Sequence, residues 1–185
     1  MRLPFQATCL PRFLLLMSSV LFVLPMLGSE QPVVRVEPTS SVGPRTLEQQ
    51  TESAVVRDYL LAWQTMSKAL EENRADLLSA YFVGTAREKL ADTVNEQQKV
   101  GISTRYRDLS HDLKLVFYSP EGLSVQLVDT VEYEVQVLDH GDVKATQHIR
   151  TRYVAVLTPT EVRWGVRLFQ AGGPNDGDDD GRSDR

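Results

Sequence analysis

The sequence predicts one α+β domain in which three helices precede a curved antiparallel sheet of about four long strands. Three observations carry this. Apolar residues recur at helical spacing between Val56 and Val94. From Leu113 to Phe169 they instead alternate with polar ones, the period of a half-buried strand. The change of period falls once, after Gly101, so helices and strands come in separate blocks.

The first stretch of chain reads as an address. Arg2 and Arg12 precede residues 13–27, which carry no charge. A basic start followed by about 7–15 apolar residues is the pattern of a secretory signal, and a permanent membrane helix usually takes about 20. Pro25, Gly28 and Ser29 add a helix break and small residues where a peptidase cuts. Residues 1–28 are therefore expected to be a signal peptide or, if uncleaved, an N-terminal tether, with the chain periplasmic or secreted. No cysteine follows the run, which argues against a lipoprotein. Residues 29–45, with Pro32, Pro38 and Pro44, read as an extended spacer. Residues 172–185, rich in Gly and Asp and free of apolar side chains, read as a disordered acidic tail. The domain is left as residues 46–171.

Within it, Thr46 and Gln49 form a capping-box pair. Val56, Tyr59, Leu60, Trp63, Met66 and Leu70 then line one helix face, opposite Arg57, Asp58, Gln64, Lys68 and Glu71. Asn73 is placed to cap a short second helix carrying Leu77, Leu78, Tyr81 and Phe82, which Gly84 ends. Thr85 with Glu88 opens a third, lined by Ala86, Leu90 and Val94 and stopping near Gly101. The first strand opens at His111 and turns Leu113, Leu115 and Phe117 to one face. After a turn at residues 119–122, Leu123, Val125, Leu127, Val131, Tyr133, Val135 and Val137 share a face of the next strand. Turns at residues 139–142 and 158–160 separate two further strands, residues 143–157 and 162–169. Connections this short join antiparallel neighbours, and the apolar face needs the helices as cover. Trp63 and Trp164 are both expected inside.

This element order, the Ala62, Trp63, Gln64 stretch and the closing strand with Trp164 and Val166 resemble the nuclear transport factor 2-like superfamily over residues 50–170. The resemblance implies a strongly curved sheet that wraps the helices into a cone. It also implies an extra strand between the second and third helices, which this sequence does not display. The superfamily holds ketosteroid isomerases, polyketide cyclases and dehydratases beside members without catalysis that bind proteins or assemble envelope complexes. The fold alone therefore does not choose a function.

Composition removes several classes. The net charge is -5, and -7 once residues 1–28 and their two arginines are set aside, so the basic footprint of a nucleic-acid binder is missing. Cys9 is the one cysteine, which leaves the domain without a disulfide, a thiolate nucleophile or a zinc-thiolate site. No cofactor or metal is expected. Strict alternation puts Asp129 on the apolar face between Leu127 and Val131. Burial disfavours the charged form of a carboxylate, a property that suits a general base. A bulge at Val128 would instead turn it outward. Tyr133 and Tyr153 are the hydroxyls best placed to join it in a pocket. His111, His140 and His148 read as polar strand and turn residues without metal-ligand spacing. Lys144, His148, Arg150 and Arg152 face Glu132 and Glu134 as ordinary cross-strand pairs. Asp176 to Gly181 match the first half of a calcium loop but lack its closing Glu. The function expected is a non-catalytic binding or assembly domain in the cell envelope. Its partner is a protein or a small apolar ligand, and only its N-terminal segment touches membrane. The alternative is a small-molecule pocket protein or enzyme of the isomerase and cyclase kind with Asp129 as base. Oligomeric state is left open.

Overall fold

The computed structural model describes residues 31–38 and 46–172. The expected signal segment and the acidic tail beyond Gly172, with its calcium-loop match, lie outside the described residues.

Helix α1 (Gln49–Glu72) buries Val55, Tyr59, Ala62, Trp63, Met66, Ala69 and Leu70, a stripe at spacings of three and four. Asp58, read from the sequence as outward, is buried with them. Its Oδ1 accepts from the Arg57 guanidinium and its Oδ2 from the Trp164 backbone N–H at 2.8 Å, which satisfies a carboxylate inside. The expected Thr46 capping box does not form, because Glu48 is the N-cap and no side chain caps it. Asn73 closes α1 rather than opening the next helix. It adopts the left-handed conformation (φ 53°, ψ 44°), and its side-chain amide donates to the Ile102 carbonyl at 2.8 Å.

The expected second helix is a 3-10 turn of six residues, Ala75–Ala80. Helix α2 (Gly84–Val100) starts on Gly84, two residues earlier than the Thr85 box would place it and again without a side-chain cap, and is closed by Gly101 at φ 75°.

Among the described residues the sheet has five strands in the order β1 (Val33–Val36), β2 (Ile102–Tyr118), β3 (Val125–Asp139), β4 (Asp142–Pro159) and β5 (Trp164–Ala171). Strands β2 to β5 form the antiparallel meander read from the sequence. Strand β1 corrects the spacer reading: Val33 to Val36 pair in parallel with Ser110 to Leu113. β-branched valines suit a strand, and Pro32 and Pro38 lie just outside it, where a missing N–H breaks no ladder.

Strand β2 starts well before His111, and its register shifts between Asp108 and Ser110 and again between Leu115 and Phe117. The second bulge flips the strand end, so Phe117 is 38% exposed while Tyr118 is buried. Leu123, in the turn, is exposed rather than on the inner face. The strand implied between the last two helices is reduced to one parallel bridge, Phe82 to Val166. Val83 N–H donates to the Val166 carbonyl and Val166 N–H to the Tyr81 carbonyl, tying the helical layer to β5. Trp164 is only half-buried, because its neighbours Gly165 and Val166 take the interior positions. The sheet is not closed, and the helices fill its inner face.

Candidate functional site

Strand β3 keeps an unbroken register against β4 from Val125 to Val137, so side chains alternate strictly and Asp129 points inward. It is completely buried. The register shifts fall at Leu109 and Val116 of β2, Lys144 of β4 and Arg167 of β5, none of them at Val128, and the outward alternative for Asp129 is thereby corrected. Its Oδ2 accepts from the Tyr59 hydroxyl at 2.9 Å and lies 2.7 Å from His111 Nδ1. Its Oδ1 is buried with no hydrogen-bond partner.

His111 is the residue that sequence reasoning passed over. It is 1% exposed rather than a solvated strand opening. The signal was its parity: it stands two residues before Leu113 and shares the inner face. The β2–β3 register sets Leu113 opposite Asp129 and His111 opposite Val131, so the imidazole and carboxylate are diagonal neighbours on one face.

Trp63 projects from the middle of α1 into the hollow of the sheet and is also 1% exposed. Its Nε1 donates to Asp108 Oδ1 at 2.7 Å. Five rings meet it edge-on: Tyr106, His111, Tyr133, Tyr153 and Phe169, with centroids 5.2 to 6.4 Å away. Tyr153 also stacks on Phe169 at 4.7 Å, and its hydroxyl lies 3.4 Å from that of Tyr133. Asp129, Tyr133 and Tyr153 are thus brought together, around an indole rather than around open space.

Burial sets the titration of this cluster. It pushes the Tyr59 hydroxyl well above its ordinary range, and the neighbouring Asp129 pushes further the same way. Tyr153 is raised by burial and by its bond to Tyr133. Tyr106 is raised to about 12 by burial and then by Tyr133. The Asp108 carboxyl is raised by burial, against the pull of the Trp63 N–H. A general base must reach the proton it removes within hydrogen-bond distance. The groups at that distance from Asp129 are Tyr59 and His111.

A cavity of about 380 Å³ opens elsewhere, where Tyr81 and Val83 face Thr160, Val162 and Arg163. The Arg163 guanidinium lies 4.6 Å from the Tyr81 ring centre there. Asp129, Tyr133 and Tyr153 do not line it. On the outer face His148 pairs with Glu132 at 3.0 Å, and beside the β3–β4 turn Lys144, at the bulge of β4, reaches Asp139 and Asp142 at 3.8 and 3.7 Å. These exposed pairs are worth about 0–1 kcal/mol each. His140 occupies the β3–β4 turn at φ 50°. Among the described residues no three His, Cys, Asp or Glu side chains gather as a metal set.

The intermembrane-space region of the chloroplast protein ARC6 superposes with a TM-score of 0.55 at 17% identity, over 69% of this chain and 98% of that one. Helices held on one face of a curved, open meander, bridged to β5 at Phe82, complete the comparison. The fold is nuclear transport factor 2-like. More distant in shape are a scytalone dehydratase-like protein from Novosphingobium aromaticivorans (TM-score 0.48, 13% identity, 68% and 89% of the two chains). A dehydratase-like member of the NTF2-like family from Streptomyces avermitilis is similarly distant (TM-score 0.45, 12% identity, 65% and 96%). No family model and no curated protein sequence matches the chain. At 17% identity the likeness to the ARC6 region is one of fold alone.

Proposed function

We propose that the chain is an exported or envelope-tethered binding or assembly domain that does no chemistry of its own. One observation carries this reading: the indole of Trp63, 1% exposed, occupies the hollow in which a pocket protein of this fold would seat its ligand. Asp129 and His111 are sealed behind it, bonded to each other, and Asp129 also accepts from the Tyr59 hydroxyl. Binding then falls to the outside of the domain. Residues 1–28 support the envelope setting through their basic start and apolar run. The shared fold of a chloroplast intermembrane-space region is compatible with that setting.

A second reading has one observation in its favour. The unpartnered Oδ1 of Asp129 is a buried acceptor of the kind that a ligand or substrate hydroxyl satisfies. A small-molecule pocket or isomerase-like site would need Trp63 to swing aside. A thermal-shift screen of small apolar ligands, read together with the NMR signal of the Trp63 indole, tests the choice. The binding-domain reading expects no compound to raise the melting temperature and move that signal together. A compound that does both, and loses both effects in Asp129→Asn, would establish the pocket instead.

A further inference from the structure

The cavity between Tyr81 and Arg163 lies outside the aromatic interior, and hydrogen bonds fix both of its walls. One wall is the link between the 3-10 turn and α2. There Val83 N–H donates to the Val166 carbonyl at 2.9 Å, and Val166 N–H donates to the Tyr81 carbonyl at 2.8 Å. The other wall is the β4–β5 turn, which Thr160 closes. Its N–H and its hydroxyl both donate to the Arg163 carbonyl, at 2.7 and 2.8 Å, and the hydroxyl oxygen accepts from Arg163 N–H at 3.3 Å. The next N–H, of Trp164, is held by the buried carboxylate of Asp58. The walls converge over Gly165, where a Cβ would stand 3.1 Å from Thr160 Cγ2 and 3.3 Å from Val83 Cγ1. A space with ordered walls costs little further ordering to fill.

Two opposite charges line this space. Among the described residues neither the Arg163 guanidinium nor the Glu161 carboxylate takes part in an ion pair, with each other or with a third group. The Tyr81 ring covers one face of the guanidinium at 4.6 Å. Its N–H donors lie in the guanidinium plane, so the stack leaves them free to grip a carboxylate edge-on through two parallel bonds. Val162 stands on the same rim, 78% exposed, across from the half-buried Tyr81 and Val83. The geometry points to a binding site for a small zwitterion with an apolar body, of the kind of a free apolar amino acid. Its carboxylate meets Arg163, its ammonium meets Glu161, and its side chain lies against Tyr81, Val83 and Val162. A plain acid or a plain amine fits less well, since each leaves one lining charge unmatched and brings a like charge toward it. The volume of about 380 Å³ falls in the range of small-molecule sites, about 300–1,000 Å³. Asp129, Tyr133 and Tyr153 take no part, so the site holds whether the hollow around Trp63 is closed or opens.

The test titrates the full chain with leucine, with leucinamide, which lacks the carboxylate, and with isocaproate, which lacks the amine. Leucine should shift the NMR signals of the Val83 and Val162 amides and of the Arg163 side-chain N–H, and leave the Trp63 indole signal in place. Leucinamide and isocaproate should each bind about tenfold more weakly or worse. Glu161→Gln should remove the advantage of leucine over isocaproate, and Arg163→Met its advantage over leucinamide. An unmoved Trp63 signal checks that each variant is folded, and the three-ligand comparison on the unaltered chain decides alone if one is not. No shift at Val83, Val162 or Arg163 with leucine in large excess overturns the site and leaves the binding-domain reading standing. Equal binding of the three compounds overturns the assignment of Arg163 and Glu161 as its charge contacts. Movement of the Trp63 signal in place of the rim signals overturns both this site and the closed interior.

Discussion

At Asp129 two neighbours, Tyr59 and His111, bond one oxygen of a fully buried carboxylate and leave the other without a partner. Removing one side of such a contact strands the other in a low-dielectric interior. His111→Phe should therefore cost about 3–5 kcal/mol in chemical denaturation. Replacing both, as His111→Phe with Asp129→Leu, should cost less than the single change, since no polar group is then left behind. A double variant less stable than the single one would mean that the cluster is held by something other than this contact. Asp108 gives a pH test. Burial raises its folded pKa above the unfolded value of about 3.9, so in that window the native state holds the extra proton. Stability falls as pH rises through the window, and Asp108→Asn should flatten the curve while keeping an acceptor for the Trp63 N–H. Parallel curves for variant and parent would contradict this. The inward placement of Asp129 was legible from alternation alone, and that of His111 from its parity with Leu113. Their partners were not, because Tyr59 is 70 residues from Asp129, and Trp63 is 45 from Asp108.

Elements were legible wherever a period was long and regular, and misread where a single residue decides a boundary. The stripe on α1 and the alternation in β3 announce themselves. A capping pair such as Thr46 with Gln49 is only a local option, and the helix instead starts after Glu48, whose carbonyl accepts from the Glu52 N–H. The bulge after Leu115 has no signature in residue type, yet it exchanges Phe117 for Tyr118 in the core. Strand β1 escaped notice because its four residues are exposed and hold their place through backbone pairing with β2. Asn73 shows how much one element end carries, since it provides both the left-handed turn after α1 and a bond to the first residue of β2. Asn73→Ala should lose about 2 kcal/mol, roughly half from the backbone conformation and half from the bond. Asn73→Gly should lose less than Asn73→Ala, as glycine adopts that conformation freely. Equal losses in thermal or urea unfolding would assign the whole effect to the side-chain bond.

For the whole molecule, the interior gathers buried tyrosines whose hydroxyls keep their protons to higher pH than in the unfolded chain. Tyr59, Tyr106 and Tyr153 all ionise less readily in the fold than in the unfolded chain, Tyr106 only near about 12. Above pH about 10 the unfolded chain releases these protons while the native state keeps them, so stability falls as pH rises, by about 1.4 kcal/mol per pH unit for each. Tyr153→Phe should make that fall shallower in urea unfolding series at alkaline pH, and an unaltered slope would show that its hydroxyl reaches solvent. Trp63→Ala should cost about 3–5 kcal/mol, and Trp164→Ala, half-buried, clearly less. The proposal of a domain that binds on its outside stands or falls on whether the hollow behind Trp63 is closed. The most direct measurement is hydrogen exchange of the Trp63 indole N–H, which is buried and bonded to Asp108. A closed interior requires that proton to exchange only through global unfolding, at the rate of the slowest core amides of β3. Exchange far faster than those amides, under conditions where the sheet stays intact, would mean that the hollow opens and that the interior is a binding site after all.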